Sequence, residues 1–311
     1  MWKSSDPRDT DAREEALWDT RDRGPDDPRD RDVDPRDVFR EGLDLPRGRD
    51  RERVFVEDLT FELRGSEVRT LATIGAFRVV PIDDLRDDRG RSGDLWHGEL
   101  DRLRSADLIR AVAPFDRDDE RRTMLVTLTD RGRDLLESHR TPEHEPRQQF
   151  YSGDVRAREL SHDAQLYAAY LRAAERLLEY DVRIQRVVLD HELKREYQRF
   201  LHERDRDHSD ASGRPDRDQR EIERWALEHD LPFFDGHVHF PDVRLEYEWP
   251  DGRRDVENVE VTTLHYRGAH ASAKARAGFT RFRATGGRVG GRSGRRGGRP
   301  FDPDVAGELL E

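Results

Sequence analysis

Apolar residues recur along this chain in two rhythms, and the changes between them mark out its elements. Over 66–75, Val68, Leu71, Ala72 and Gly75 fall at i, i+3, i+4 and i+7, the spacing of one helix face. Ser66 stands at the N-cap position of that helix. A short strand is expected over 77–80, and Pro81 suits the first turn of a helix carrying Ile82 and Leu85. After a turn at 89–93, a third helix is predicted over 94–106 with Trp96, Leu100 and Leu103 facing inward. His97, Asp101 and Arg104 share its outer stripe, with Arg102 beside them. The rhythm then shortens. Segments 108–112 and 124–129 read as a hairpin with its tip over 115–122, and Thr129 caps a closing helix over 130–139.

A polar linker at 141–146 carries two prolines. Beyond it, Leu166, Tyr170, Ala173 and Leu177 line one face of a helix expected over 162–180. A strand over 182–189 and a helix over 191–203 precede a charged loop, 204–217, and a helix over 221–230. Two strands, 237–248 and 256–264, are joined through Asp251-Gly252, a strong hairpin signal. A helix over 269–279 closes the pattern.

The first of these successions reads as a winged helix-turn-helix, whose third helix enters the major groove of duplex DNA. His97, Asp101, Arg102 and Arg104 would then face the groove, and Arg121 and Arg122 would reach phosphates from the wing. The acids Asp116, Asp118, Asp119 and Glu120 crowd the same tip and oppose that attraction. The fold class expected is α/β (α+β) in two domains: a disordered leader over 1–52, a winged helix over 53–140, a linker over 141–158, a mixed α/β domain over 159–284 and a disordered tail over 285–311.

Composition sharpens the ends of this picture. Only 33% of the 311 residues are hydrophobic and 41% are charged, against about 25% charged in an average globular chain. The leader repeats Asp-Pro-Arg-Asp at 6–9, 27–30 and 34–37 and has few apolar residues to offset ordering entropy. A formal net charge of -12 argues against a nucleic-acid partner. The stretch 265–300, however, holds ten basic residues and no acid, and its Gly/Arg run could bind nucleic acid through counterion release. Cysteine is absent, which removes disulfides, thiol catalysis and cysteine-bound zinc. No apolar run nears the ~20 residues of a membrane span, and the first residues carry no signal-peptide hydrophobic region. The expected setting is cytoplasmic, with no membrane partner; a second copy of the chain stays open as a partner.

Three constellations could carry chemistry in the second half. Pro241-Asp242, then Glu257 and Glu260 on the next strand, then Lys274 resemble the Pro-Asp…(Asp/Glu)-x-Lys arrangement of restriction-endonuclease-like folds. There, carboxylates on adjacent strands hold Mg²⁺ and a lysine helps position water. Asp242, Glu260 and Lys274 are thus the catalytic candidates, and Asp242, Glu257 and Glu260 the metal candidates. The lysine position two residues after Glu260 is Thr262. His237 and His239, with Asp235 nearby, form a second potential metal pair. The pair His162-Asp163 is the third.

Over about 60–283, a winged helix, His162-Asp163, Pro241-Asp242, the acidic strand 257–260 and a lysine-bearing helix together resemble the replication-relaxation family. The resemblance implies DNA binding with a nuclease-like second domain, in replication, mobilisation or transcription control on a mobile element. Thr262 points to a degenerate nuclease, so no cofactor is expected, with Mg²⁺ entering only if that domain is active. The partner implied is double-stranded DNA. The alternatives are a metal-dependent nuclease using Asp242, Glu260 and Lys274, and a winged-helix transcriptional regulator or protein-docking module.

Overall fold

The computed structural model of the chain describes residues 34–85, 98–116, 122–142, 144–203, 217–262, 276–283 and 288–289. Regular structure starts earlier than the hydrophobic pattern implies. The Asp34 carboxylate accepts the Arg36 N–H at 2.9 Å and caps a 3-10 helix, Pro35–Arg40, with proline at its first position. Arg36 is buried on Asp34, and Val38, Phe39, Leu43 and Leu45 join the core. Residues 34–52 therefore do not belong to a disordered leader. The apolar residues that follow Asp34-Pro35-Arg36-Asp37 supply the buried side of this segment.

Strands β1 (Glu52–Val56) and β2 (Leu59–Leu63) form an antiparallel hairpin that buries Val54, Val56, Phe61 and Leu63. Helix α1 (Gly65–Ala76) starts one residue before the expected cap. Arg64 holds the N-cap position, and its N–H is accepted by Glu67 at 3.2 Å. Ser66 instead donates its hydroxyl to Glu99 at 3.1 Å. Val68, Leu71 and Ala72 are buried, as their spacing requires. Strand β3 (Val80–Pro81) and a 3-10 turn (Ile82–Asp84) follow, and the stretch expected to hold Trp96 and His97 lies outside the described residues. Helix α2 (Glu99–Ser105) buries Leu100 and Leu103. Strands β4 (Ile109–Asp116) and β5 (Arg122–Leu128) pair antiparallel, with a bulge between Ala111 and Ala113. Thr129 accepts the Gly132 N–H at 3.0 Å and caps α3 (Asp130–Ser138).

The second half opens with α4 (Ala157–Asp163) and α5 (Leu166–Leu178), two helices where the sequence pattern implies one. Strand β6 (Arg183–Leu189), α6 (Asp190–Leu201) and α7 (Gln219–Glu228) come next. The strand expected over 237–248 is interrupted at Pro241. Its start pairs in a small hairpin, β7 (Phe233–Phe234) with β8 (His237–Val238), and its end is β9 (Val243–Glu248). Strands β10 (Arg254–Thr262) and β11 (Thr280–Arg283) complete a sheet of order β11-β10-β9-β6, antiparallel except for β10 and β11. Gly252, at φ 86, turns β9 into β10 as the Asp-Gly signal implies. The final strand, β12 (Arg288–Val289), pairs with β4, so two residues of the tail expected to be disordered extend the first sheet, order β12-β4-β5-β3.

The chain is mixed α/β, with seven α-helices among the described residues. Alternation along the second sheet sorts its side chains. Val187, Leu189, Val243, Leu245, Val259 and Val261 share a core with α5, while Val188 packs with Leu193, Trp225 and Ala226. Arg244, on the latter face, donates to the carbonyls of His229 and Asp230 and so ties the end of α7 to the sheet. One hydrophobic core runs from Val38 to Val261, and the halves expected as separate domains share it. Its hinge point is aromatic: Phe77 packs on Phe39, Tyr167 and Tyr170 at centroid distances of 5.6, 5.3 and 5.6 Å. Among the described residues no helix is long and apolar enough to cross a membrane.

Candidate functional site

The outer stripe of α2 is occupied by ion pairs. Arg102 Nε donates to Glu67 at 3.0 Å, although half of its side chain (50%) stays exposed. Arg104 pairs with Asp101 at 3.2 Å, one turn away. Glu67 itself is fully buried on α1, and Arg51 grips it with two bonds of 2.6 and 2.8 Å. Burial would raise the Glu67 carboxyl's pKa, but the hydrogen bonds from Arg51, Arg102 and the Arg64 N–H outweigh that and lower it. A second acid of the same interface, Glu99, is buried and accepts from Arg64, Ser66 and Thr70. The arginines expected to face outward from α2 are therefore partners of acids. Arg102 is part of the α1–α2 joint. Arg122 is exposed at the start of β5, and Arg121 and His97 lie outside the described residues.

A second polar centre links the two halves. Arg78, just after α1, meets Glu159 at 3.1 Å and Asp163 at 2.9 Å. His162 lies 3.3 Å from Asp163 through Nδ1 and 3.3 Å from Asp242 through Nε2. Asp242 Oδ2 also accepts the Val261 N–H at 2.8 Å. The Asp242 backbone donates to Val259 and accepts from Asp190, so the residue stitches β10 to the start of α6. An imidazole with a carboxylate at each nitrogen is best served as the doubly protonated cation. Burial would lower its pKa; the hydrogen bonds and charges of Asp163 and Asp242 overcome this and raise it to about 10.

That balance gives a pH dependence of stability. An unfolded histidine titrates near 6.5, so this contribution is complete below about pH 6.5 and is lost as pH rises through about 10. Solvent reaches 34% of the side chain, which screens part of the effect. Urea midpoints measured at several pH values across this window should fall with rising pH in the native chain and fall much less in His162→Gln. Equal slopes in the two proteins would remove the imidazolium from this role.

The metal candidates are not brought together. Glu257 and Glu260 are three residues apart on one strand, so they point to opposite faces of the sheet. Glu257 binds Arg176 and the Thr280 hydroxyl, the latter at 2.6 Å, whereas Glu260 is buried on the other face. Asp242 is already engaged by a backbone N–H and the His162 imidazole, and Thr262 donates its hydroxyl to the Phe282 carbonyl at 3.2 Å. This donor set does not fit a divalent cation. Lys274 lies outside the described residues. His239 stacks on Phe234 at 3.7 Å with Nε2 near the Phe234 carbonyl, while His237 is exposed. Among the described residues no cluster of three or more histidine or acidic side chains is set to hold a metal.

Sequence reasoning singled out His162 and Asp242 separately and missed that they touch. The signal was available only in part: a His-Asp pair and a Pro-Asp pair both stand out, but 77 residues divide them. Compared with family models, curated proteins and solved structures, the chain finds no match.

Proposed function

We propose that this chain binds duplex DNA and acts by occupancy, in the control of replication, mobilisation or transcription on a mobile element. Its second half serves as a nuclease-like scaffold that does not hydrolyse DNA. The observation that carries the reading is the strand order β3-β5-β4, reached through helix, strand, 3-10 turn, helix and hairpin. This succession supports the winged-helix reading. Support for the second half comes from α5, β6, β9, β10 and a β11 parallel to β10, with Pro241-Asp242 opening β9. With α6, α7 and the β7–β8 hairpin inserted between β6 and β9, this succession supports the reading of a restriction-endonuclease-like core. The His162 contact with Asp242 favours a structural part for that acid over hydrolysis.

With Arg102 and Arg104 held by acids, the contact proposed is with the phosphate backbone rather than base edges. The same ion pairs favour a second reading, a winged module that docks a protein. Fluorescence anisotropy of a labelled random-sequence duplex separates the two. We expect binding that weakens by about 10- to 100-fold between roughly 50 and 200 mM salt, and no plasmid nicking in Mg²⁺. Absence of binding at low salt would favour docking. Mg²⁺-dependent nicking that Asp242→Ala abolishes would overturn the scaffold assignment.

A further inference from the structure

A cleft of about 540 Å³ opens where α3, the segment 147–152 and α6 meet. Arg133, Arg140, Arg147 and Arg195 line it against one acid, Glu137. This local excess arises in a chain whose acids outnumber its bases, 69 to 57. We propose that this cleft is where the chain grips the phosphodiester backbone of duplex DNA; the inference rests on the function proposed above and moves its contact surface away from α2.

The four arginines are not equivalent. Arg140 is fixed in place: it binds Glu137, donates to the Gln148 carbonyl at 2.5 Å and lies 4.8 Å over the Phe150 ring. It forms the floor of the cleft. Arg133 and Arg147 sit at the rim in pairs with Asp134 at 3.0 Å and Glu145 at 2.9 Å. Asp130 lies 3.8 Å from Arg133, and Glu192 accepts from the Tyr151 hydroxyl of the cleft wall at 3.1 Å. Exposed pairs of this kind contribute about 0–1 kcal/mol, so a phosphate can displace the carboxylates. Arg195 is exposed on α6, and among the described residues it pairs with no acid. The guanidinium fork matches phosphate oxygens in two bonds at once. The cleft is open and its cations come from three separate segments, which suits an extended polyanion better than an enclosed small molecule.

The test is duplex binding by the full chain carrying Arg147→Glu and Arg195→Glu. Both side chains are exposed, so thermal unfolding should match the native protein. Reversing two charges also changes the net charge, and Arg220→Glu with Arg224→Glu, exposed on α7, supplies the same change elsewhere. The groove variant should lose about 10- to 100-fold in affinity and about two units of salt slope. The α7 control and an Arg102→Ala, Arg104→Ala variant should each lose about 2-fold or less. If the groove variant binds like the α7 control while the native chain binds DNA, the cleft is wrong and the function stands. If the native chain does not bind at low salt, both fall.

Discussion

Replacing Phe77 with alanine should destabilise the whole chain by about 3–5 kcal/mol, the range for deleting a fully buried aromatic ring. The ring is 0% exposed and touches aromatic side chains from three directions. Phe39 comes from the 3-10 helix Pro35–Arg40, and Tyr167 and Tyr170 come from α5 in the second half. The cavity left by truncation has walls from the 3-10 helix and α5, which cannot both close on it. Because the core is continuous, the loss should not be confined to the first half. Urea unfolding followed by tryptophan fluorescence and by far-ultraviolet circular dichroism should give coincident transitions that shift together. Two separated transitions, only one of them moved by the substitution, would show that the halves are independent domains after all.

Glu67→Ala should cost about 3 kcal/mol, the low end of the range for breaking a buried ion pair. The carboxylate is saturated, with two bonds from Arg51, one from Arg102 and one from the Arg64 N–H. Its removal strands two guanidinium groups, but both are partly exposed and can rehydrate, which holds the loss at the low end. Arg102→Ala should cost under about 1 kcal/mol, because Arg51 keeps its double grip and the Arg102 side chain is half in water. Denaturant midpoints of the two variants check the ordering. If Arg102→Ala proves as costly as Glu67→Ala, Arg102 rather than Arg51 is the principal partner.

Local signals carried most of the secondary structure. The 3.6-residue spacing of Val68, Leu71 and Ala72, the Thr129 cap and the Asp251-Gly252 turn each depend on near neighbours alone, and each appears where the sequence puts it. The strand expected over 237–248 ran through Pro241, although proline removes a ladder donor and marks the interruption found there. The separation of Glu257 from Glu260 was readable, because odd spacing on a strand requires it. Other features had no local mark. Asp-Pro-Arg-Asp at 34–37 caps a buried 3-10 helix, and its place there depends on a distant helix offering Phe39 somewhere to pack.

The sequence by itself determined several of the helices, strands and turns, among them α1, α3 and the β9–β10 hairpin, and that the chain is mixed α/β, because those choices follow from periodicity, caps and turn residues within a few positions. Only the tertiary structure decided what the charged residues do. In a chain this rich in arginine and acid, every arginine has many candidate partners, and an ion pair acts over a few ångströms in space rather than along the sequence. Folding set Arg102 on Glu67 and His162 on Asp242, and gathered Arg133, Arg140, Arg147 and Arg195 around one cleft.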